Sequence, residues 1–200
     1  MADTILERSN GRDMNIDTAA VAQRARATWA EYFRRATVHE ILMGAQDNLT
    51  NVLAVVLGVT IGTGRADFVA LAGLSAGIAE SFSMGGVLYN ATRAEMRLEL
   101  AAGAVSSGGP SRLAPFASGV VTFFAGLVAG LIPLLPFALL PVSSAVWVTL
   151  ALSISGLFTL GSLTGRLSGD RWLTEGIRLV LIAGLAALAA ALLGAALHVA

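Results

Sequence analysis

The chain has 200 residues, of which 56% are hydrophobic and 13% charged, and its 13 basic residues balance 13 acidic ones. Soluble domains carry roughly a quarter charged residues, so this composition indicates a membrane protein. Zero net charge argues against a nucleic-acid partner, and the absence of cysteine excludes disulfides and thiolate metal sites.

The first 37 residues predict a polar cytoplasmic arm. They mix acids with bases and contain no long apolar run, so they do not form a cleavable signal peptide, and the first apolar span must direct insertion. From Asp17 to about Thr37 the arm is rich in alanine and arginine, with Trp29 and Phe33 one turn apart. This pattern predicts a helix that either lies on the membrane surface or packs beneath the bundle.

Five apolar segments follow, each long enough to cross a hydrocarbon layer of ~30 Å, which takes about 20 helical residues. Between Arg112 and Arg166 there is no charge for 53 residues, enough for two spans, and Pro133, Pro136 and Pro141 mark the break between them. The fold predicted is an all-α integral membrane protein whose five-helix domain covers residues 38–200. Its spans are 41–64, 68–92, 116–140, 142–165 and 174–199.

All 13 basic residues are arginine, and on this topology Arg65 alone lies on one side of the membrane while twelve lie on the other. The positive-inside rule therefore places the N-terminus and the even-numbered loops in the cytoplasm, and the C-terminus on the opposite side. Abundant arginine without lysine is typical of a GC-rich bacterial genome, which favours a bacterial plasma membrane.

Glu80 stands alone in the second span, 13 residues after Asp67 and 13 before Arg93. A charge at the bilayer centre costs about 2.5–3.5 kcal/mol on insertion scales, so an acid there indicates a functional site. The other interpretation is a neutral acid that hydrogen-bonds a neighbouring helix.

Counting from the ends of the spans places further polar residues near Glu80. At 1.5 Å per residue, Asp47 lies about 10 Å inside the first span and Met84 about 13 Å inside the second, with Glu80 about 6 Å deeper. Asn51 and Ser83 extend this polar ladder, which offers the oxygen and thioether ligands of a divalent transition metal. Two alternatives remain: Asp47 is a helix-terminal acid, or Met84 is core filler.

Several motifs recur in a fixed order along the chain. They are residues 44–49 and 56–59 in the first span, Ser83, Met84 and Tyr89 in the second, residues 132–136 in the third, and Gly161, Gly165, Arg166, Gly169 and residues 176–184 near the end. Together they resemble the vacuolar iron transporter family over about residues 38–197. The resemblance implies a homodimer with an ion path between the first two helices of each subunit. It also implies export of Fe²⁺, with Mn²⁺ as a second substrate, in exchange for protons, with pathway roles for Asp47 and Met84 and no bound cofactor.

The chain departs from the family pattern at three places. Asn48 replaces the usual glycine, and Leu88 stands where the family commonly has glutamate. Glu80 lies four residues before Met84 on nearly the same helix face, so it is a candidate replacement for that glutamate. The connection at 93–115 is also much shorter than the family's glutamate-rich cytoplasmic domain.

Three further acids are candidates for metal capture on the cytoplasmic side. Glu95 and Glu99 form an i,i+4 pair that a cation could bridge, although a solvated helix end is the favoured interpretation. Glu40 lies at the start of the first span.

Two other classes of protein are alternatives to a transporter. Residues 73–77 match the nucleophile-elbow pattern of hydrolases, but His39 and His198 are the only histidines and both lie at helix ends, so the chain is predicted not to be an enzyme. A non-transporting membrane scaffold or metal sensor is the alternative to a transporter. A scaffold gives no reason for the insertion cost of Glu80, which favours transport.

Overall fold

The computed structural model describes residues 18–101 and 113–197, with side chains from Thr37 onward. In chain order the elements are α1 (Thr18–Thr63), α2 (Ala66–Ala101), α3 (Ala114–Leu131), a 3₁₀ turn (Ile132–Leu134), α4 (Leu135–Leu139), α5 (Val142–Ser168) and α6 (Trp172–Ala196). Five segments of this described part are long and apolar enough to span a membrane: Thr37–Thr63, Ala66–Ala101, Ala114–Leu139, Val142–Ser168 and Trp172–Ala196. The prediction of an all-α membrane protein with five spans is confirmed.

Helix α1 is a single element that runs from the arm into the first span. It continues without interruption from Thr18 to Thr63, so no helix end separates the arm from the span. The location of the arm on the membrane surface stays a prediction. The polar start of the arm, Arg112 and His198 lie outside the described residues.

The third span contains an irregular turn that the sequence does not predict. Pro133 and Pro136 do not break the span; they lie in the 3₁₀ turn and at the start of α4, and both are buried. The Pro133 carbonyl accepts a hydrogen bond of 2.9 Å from the Thr149 hydroxyl of α5, which satisfies a polar group at the turn inside the membrane. The break lies at Leu140 and Pro141, between the predicted spans 116–140 and 142–165, and the backbone is extended there.

Two tight turns depend on glycine. Gly64 ends α1 with φ of 64°, and Gly169 ends α5 with φ of 79°, a left-handed conformation that glycine adopts without steric cost. After the first turn, Arg65 forms an ion pair with Asp67 and lies 4.4 Å above the ring of Phe68. These turns fold α2 back against α1 and α6 back against α5.

Helix α1 is the centre of the bundle, because α2, α3, α5 and α6 all pack against it. Glycines allow two of these contacts at backbone distance: a Cβ at Gly44 would lie 2.8 Å from the Thr122 carbonyl oxygen, and one at Gly58 would lie 2.9 Å from that of Ala190. Lipid is as apolar as leucine, so helix association rests on such close packing and on hydrogen bonds. The small residue pairs Gly73/Gly77, Gly126/Gly130 and Gly161/Gly165 are all buried.

We expect Gly194→Ala to destabilise the protein, because a Cβ there would overlap the Gly58 carbonyl oxygen of α1. Overpacking of this kind costs about 1–3 kcal/mol. The measurement is the Tm of the detergent-solubilised protein. Gly184→Ala is the control on the same helix, since its Cβ would meet no atom within 4 Å and its Tm should be unchanged or slightly higher. Wild-type Tm in both variants would contradict the close approach of α1 and α6.

Candidate metal site

One side of α2 carries small residues at every fourth position and packs against α1 and α3. This buried stripe consists of Gly73, Gly77, Ser81 and Gly85. A second stripe, half-buried, runs beside it and consists of Ala76, Glu80, Met84 and Leu88. Residues four apart share a helix face, so packing of the small residues brings the second stripe to the edge of the contact with α1.

Asn48 of α1 is fully buried where α1, α2 and α3 meet. Its amide nitrogen donates to the Gly77 carbonyl at 3.0 Å and to the Ser81 hydroxyl at 2.7 Å. Ser81 in turn donates to the Gly77 carbonyl at 2.7 Å. Two glycines of α3 make room for the amide, since a Cβ at Gly126 would lie 3.2 Å from its nitrogen and one at Gly130 would overlap its oxygen. We call Asn48, Gly77 and Ser81 the amide node.

The two acids predicted from the sequence come together beside this node. Asp47 precedes Asn48, and Glu80 precedes Ser81, so each carboxylate lies one residue from a member of the node. The Glu80 carboxyl lies close enough to the Asp47 carboxyl and to the Asn51 side chain to interact with both. Two carboxylates at this separation repel each other when both are ionised, so the pair is suited to hold a proton or a cation.

The other residues of the predicted ladder lie differently. Met84 is half-buried one turn beyond Glu80, about 6 Å along the axis of α2, and its thioether is a soft donor. Ser83 is exposed, whereas Ser81, which the sequence did not single out, is buried. Among the described residues no group of three or more His, Asp or Glu could hold a metal, so a metal bound here would need other donors as well.

A second polar cluster joins α1, α2 and α3 nearer to the start of the first span. Ser118 donates to Glu40 Oε1 at 2.5 Å, and Thr92 donates to the Ser118 hydroxyl at 3.1 Å. Glu40 is seven residues before Asp47, which places both acids on one face of α1 about 10 Å apart. The structure thus gives Glu40 a hydrogen-bond partner on α3, Ser118, and not in the Asp47–Glu80 pair.

The acids at the far end of α2 lie beyond the predicted span. The helix continues past Arg93 to Ala101, and this extension carries Glu95, which is exposed, and Glu99, which is half-buried. Cation binding by these two acids stays a prediction.

Three residues of the site region are not predicted as site residues by the sequence. Asn48 is only a departure from a family motif there, and neither Ser81 nor Ser118 carries a signal of its own. The repeat of small residues every fourth position in α2 and α3 was the available signal, because such a repeat predicts a close helix contact at which a buried polar side chain must find its partner.

The described part of the chain is therefore an α-helical integral membrane protein with an acidic pair between its first two spanning helices. A family model described as the VIT family matches residues 38–107 and 90–195. The chain belongs to this family, the vacuolar iron transporters, so the predicted resemblance is confirmed and the general activity is metal-ion transport. The two matched segments overlap over residues 90–107, a range that includes the end of α2. A search of curated proteins finds no matching relative.

We expect Ser118→Ala to lower the Tm of the solubilised protein. The substitution removes the donor to Glu40 and the acceptor for Thr92, and a hydrogen bond to a charged group contributes about 1.5–3 kcal/mol. Ser83→Ala, at an exposed serine, should leave the Tm within experimental error. Equal Tm values for the two variants would show that the cluster does not connect the three helices.

Proposed function

We propose that the chain exports a divalent transition metal, Fe²⁺ or Mn²⁺, from the cytoplasm in exchange for protons. The observation that carries this proposal is the contact of Asp47, Glu80 and Asn51 between two membrane spans. Acids inside a span are costly, and they typically mark ion pathways or proton relays. Metal-ion transport, the general activity of the family, gives the acidic pair a cation to bind.

Competition between proton and metal at one site provides the coupling. A carboxylate binds a metal only after it has lost its proton, so the two ligands exclude each other. Asp47 and Met84 form the cytoplasmic half of the site, and Glu80 is the deeper ligand and the proton carrier. Metal from the cytoplasm displaces the proton held by the pair, and protons from the other side displace the metal.

The arginine distribution supports an orientation with the N-terminus in the cytoplasm. Arg65 lies in the turn between α1 and α2, whereas the other arginines of the described spans and turns lie at the opposite ends of their helices: Arg93, Arg97, Arg166, Arg171 and Arg178. In this orientation Glu95 and Glu99 lie furthest toward the cytoplasm, and metal then passes Glu40 before it reaches Asp47. The membrane is then a bacterial plasma membrane, as the composition suggests.

A homodimer fits the exposure of the site. Asp47, Asn51 and Glu80 are each half-buried in the single chain, so one side of the acidic pair is open. A second copy that faces this side encloses the path between the first two helices of each subunit. Enclosure matters because a dry site strengthens the attraction between carboxylate and metal.

The test is metal flux in liposomes that contain the purified protein, with Fe²⁺, Mn²⁺, Zn²⁺ and Ca²⁺ compared under an imposed pH gradient. We expect wild type to transport Fe²⁺ and Mn²⁺ at a rate that depends on the gradient. Asp47→Asn should reduce flux to that of protein-free liposomes, because the first metal ligand is lost. Glu80→Gln should remove the dependence on the pH gradient, because an amide cannot carry the proton.

Asp170→Asn is the matched control, since Asp170 is exposed in the turn between α5 and α6 and far along the chain from the site. It should transport like wild type. Wild-type flux equal to that of empty liposomes would favour the alternative function, a scaffold or metal sensor. Gradient-dependent flux in Glu80→Gln would exclude Glu80 as the proton carrier.

We expect Met84→Leu to lower the ratio of Fe²⁺ to Mn²⁺ transport while it leaves the fold intact. Leucine has nearly the volume of methionine, but it lacks the thioether, which favours the softer of the two metals. The measurement is competition between the two ions in the same liposomes. Met96→Leu, at a half-buried methionine beyond the predicted span, is the control and should leave the ratio unchanged.

A further inference from the structure

The amide node and the acidic pair are adjacent in the amino-acid sequence. The hydrogen bond from Asn48 to Ser81 joins α1 to α2 at 2.7 Å, and the residues that precede its two ends are Asp47 and Glu80. A slip or rotation of α1 against α2 must break this bond before it separates the carboxylates. Successive side chains on a helix keep a fixed angle of about 100° to each other, so a rotation of α1 or α2 that turns the node residue turns the neighbouring acid as well.

The surroundings of Asn48 suit one particular side chain. The amide uses both nitrogen hydrogens on α2, and Gly77, Gly126 and Gly130 leave space for it that a Cβ at Gly130 would fill. Its Oδ1 atom is buried and has no partner among the described residues. An unpaired buried oxygen destabilises the folded state, so stability alone does not explain this residue. Its amide nitrogen, through two hydrogen bonds, fixes the position of α1 relative to α2.

We propose that Asn48 is a positioning residue: it fixes the register of α1 against α2 and thereby sets the separation of Asp47 and Glu80. Its consequence for transport rests on the function proposed above, whereas its effect on register does not. Asn48 does not bind the metal, because its nitrogen is turned to α2 and its oxygen to Gly130.

The register can be measured directly, because the chain contains no cysteine. Asp47→Cys and Glu80→Cys, combined, place two thiols at the positions of the acids. Dibromobimane becomes strongly fluorescent only when both of its ends have reacted. The rate at which the monomer band on a denaturing gel gains fluorescence therefore reports how close the two thiols are. Each single-cysteine variant gives the background.

In the double-cysteine protein we expect Asn48→Leu to slow cross-linking at least fivefold, because it removes two hydrogen bonds to α2 and one ordinary hydrogen bond alone has an equilibrium weight of about fivefold. Leucine resembles asparagine in shape and fills the same space, so it keeps the protein folded, which the Tm verifies. Asn48→Ala should slow the reaction at least as much. The control is Asn90→Ala, at an exposed asparagine of α2, which should cross-link at the starting rate. Cross-linking in Asn48→Leu as fast as with asparagine would overturn the proposal, because filled space alone would then set the register.

The transport arm uses Mn²⁺ flux by the chain with both acids intact. Asn48→Leu should raise the KM for Mn²⁺ and leave the maximal rate near that of wild type, because the ligands remain but their spacing changes. An unchanged KM together with slowed cross-linking would overturn the link between register and metal affinity. If wild type shows no flux while cross-linking of the double-cysteine protein still depends on Asn48, the proposed transport function is rejected and the register role is supported.

Discussion

The whole bundle depends on how closely the other helices approach α1. All four remaining spanning helices pack against it, and glycines permit contact with the backbones of α3 and α6. Burial of apolar surface gives no gain in lipid, so these contacts depend on van der Waals packing and hydrogen bonds that a single added methyl group can disturb. The position of every functional side chain on α1 follows from this packing.

The amide node is the polar part of this arrangement. Its unpaired oxygen costs about 1–3 kcal/mol when no partner is present. Violations of local rules of this kind are found where a protein positions a functional group. The two acids of the pair, Asp47 and Glu80, directly precede Asn48 and Ser81 of the node in the chain. The same helix contact therefore serves structure through its buried side and ion binding through its half-buried side.

The sequence predicts the number of spans well, because hydrocarbon thickness fixes the length of an apolar run. It predicts the residues of the acidic pair, but it matches Asp47 in depth with Met84, whereas the structure also brings Glu80 to Asp47. The depth calculation treats the helices as parallel to the membrane normal, and packed helices cross at an angle. Counting along each helix cannot supply that angle.

The partners of buried polar residues are the part that sequence could not give. Asn48 and Glu40 bond residues 33 and 78 positions away, which only the packing of three helices brings near. Pro133 was assigned to a break for a related reason. Its carbonyl is satisfied by Thr149 of another span, so the chain can continue through a turn that local rules predict as an end.

The unbroken length of α2 makes it a rigid connection between two environments. Its 36 residues extend about 54 Å, well beyond a hydrocarbon layer of ~30 Å. No loop separates the charged extension at Glu95 and Glu99 from the acid at Glu80, since one helix contains all three. A stiff rod transmits rotation about its own axis over its whole length, so a twist applied to the extension turns Glu80 and Met84 through the same angle.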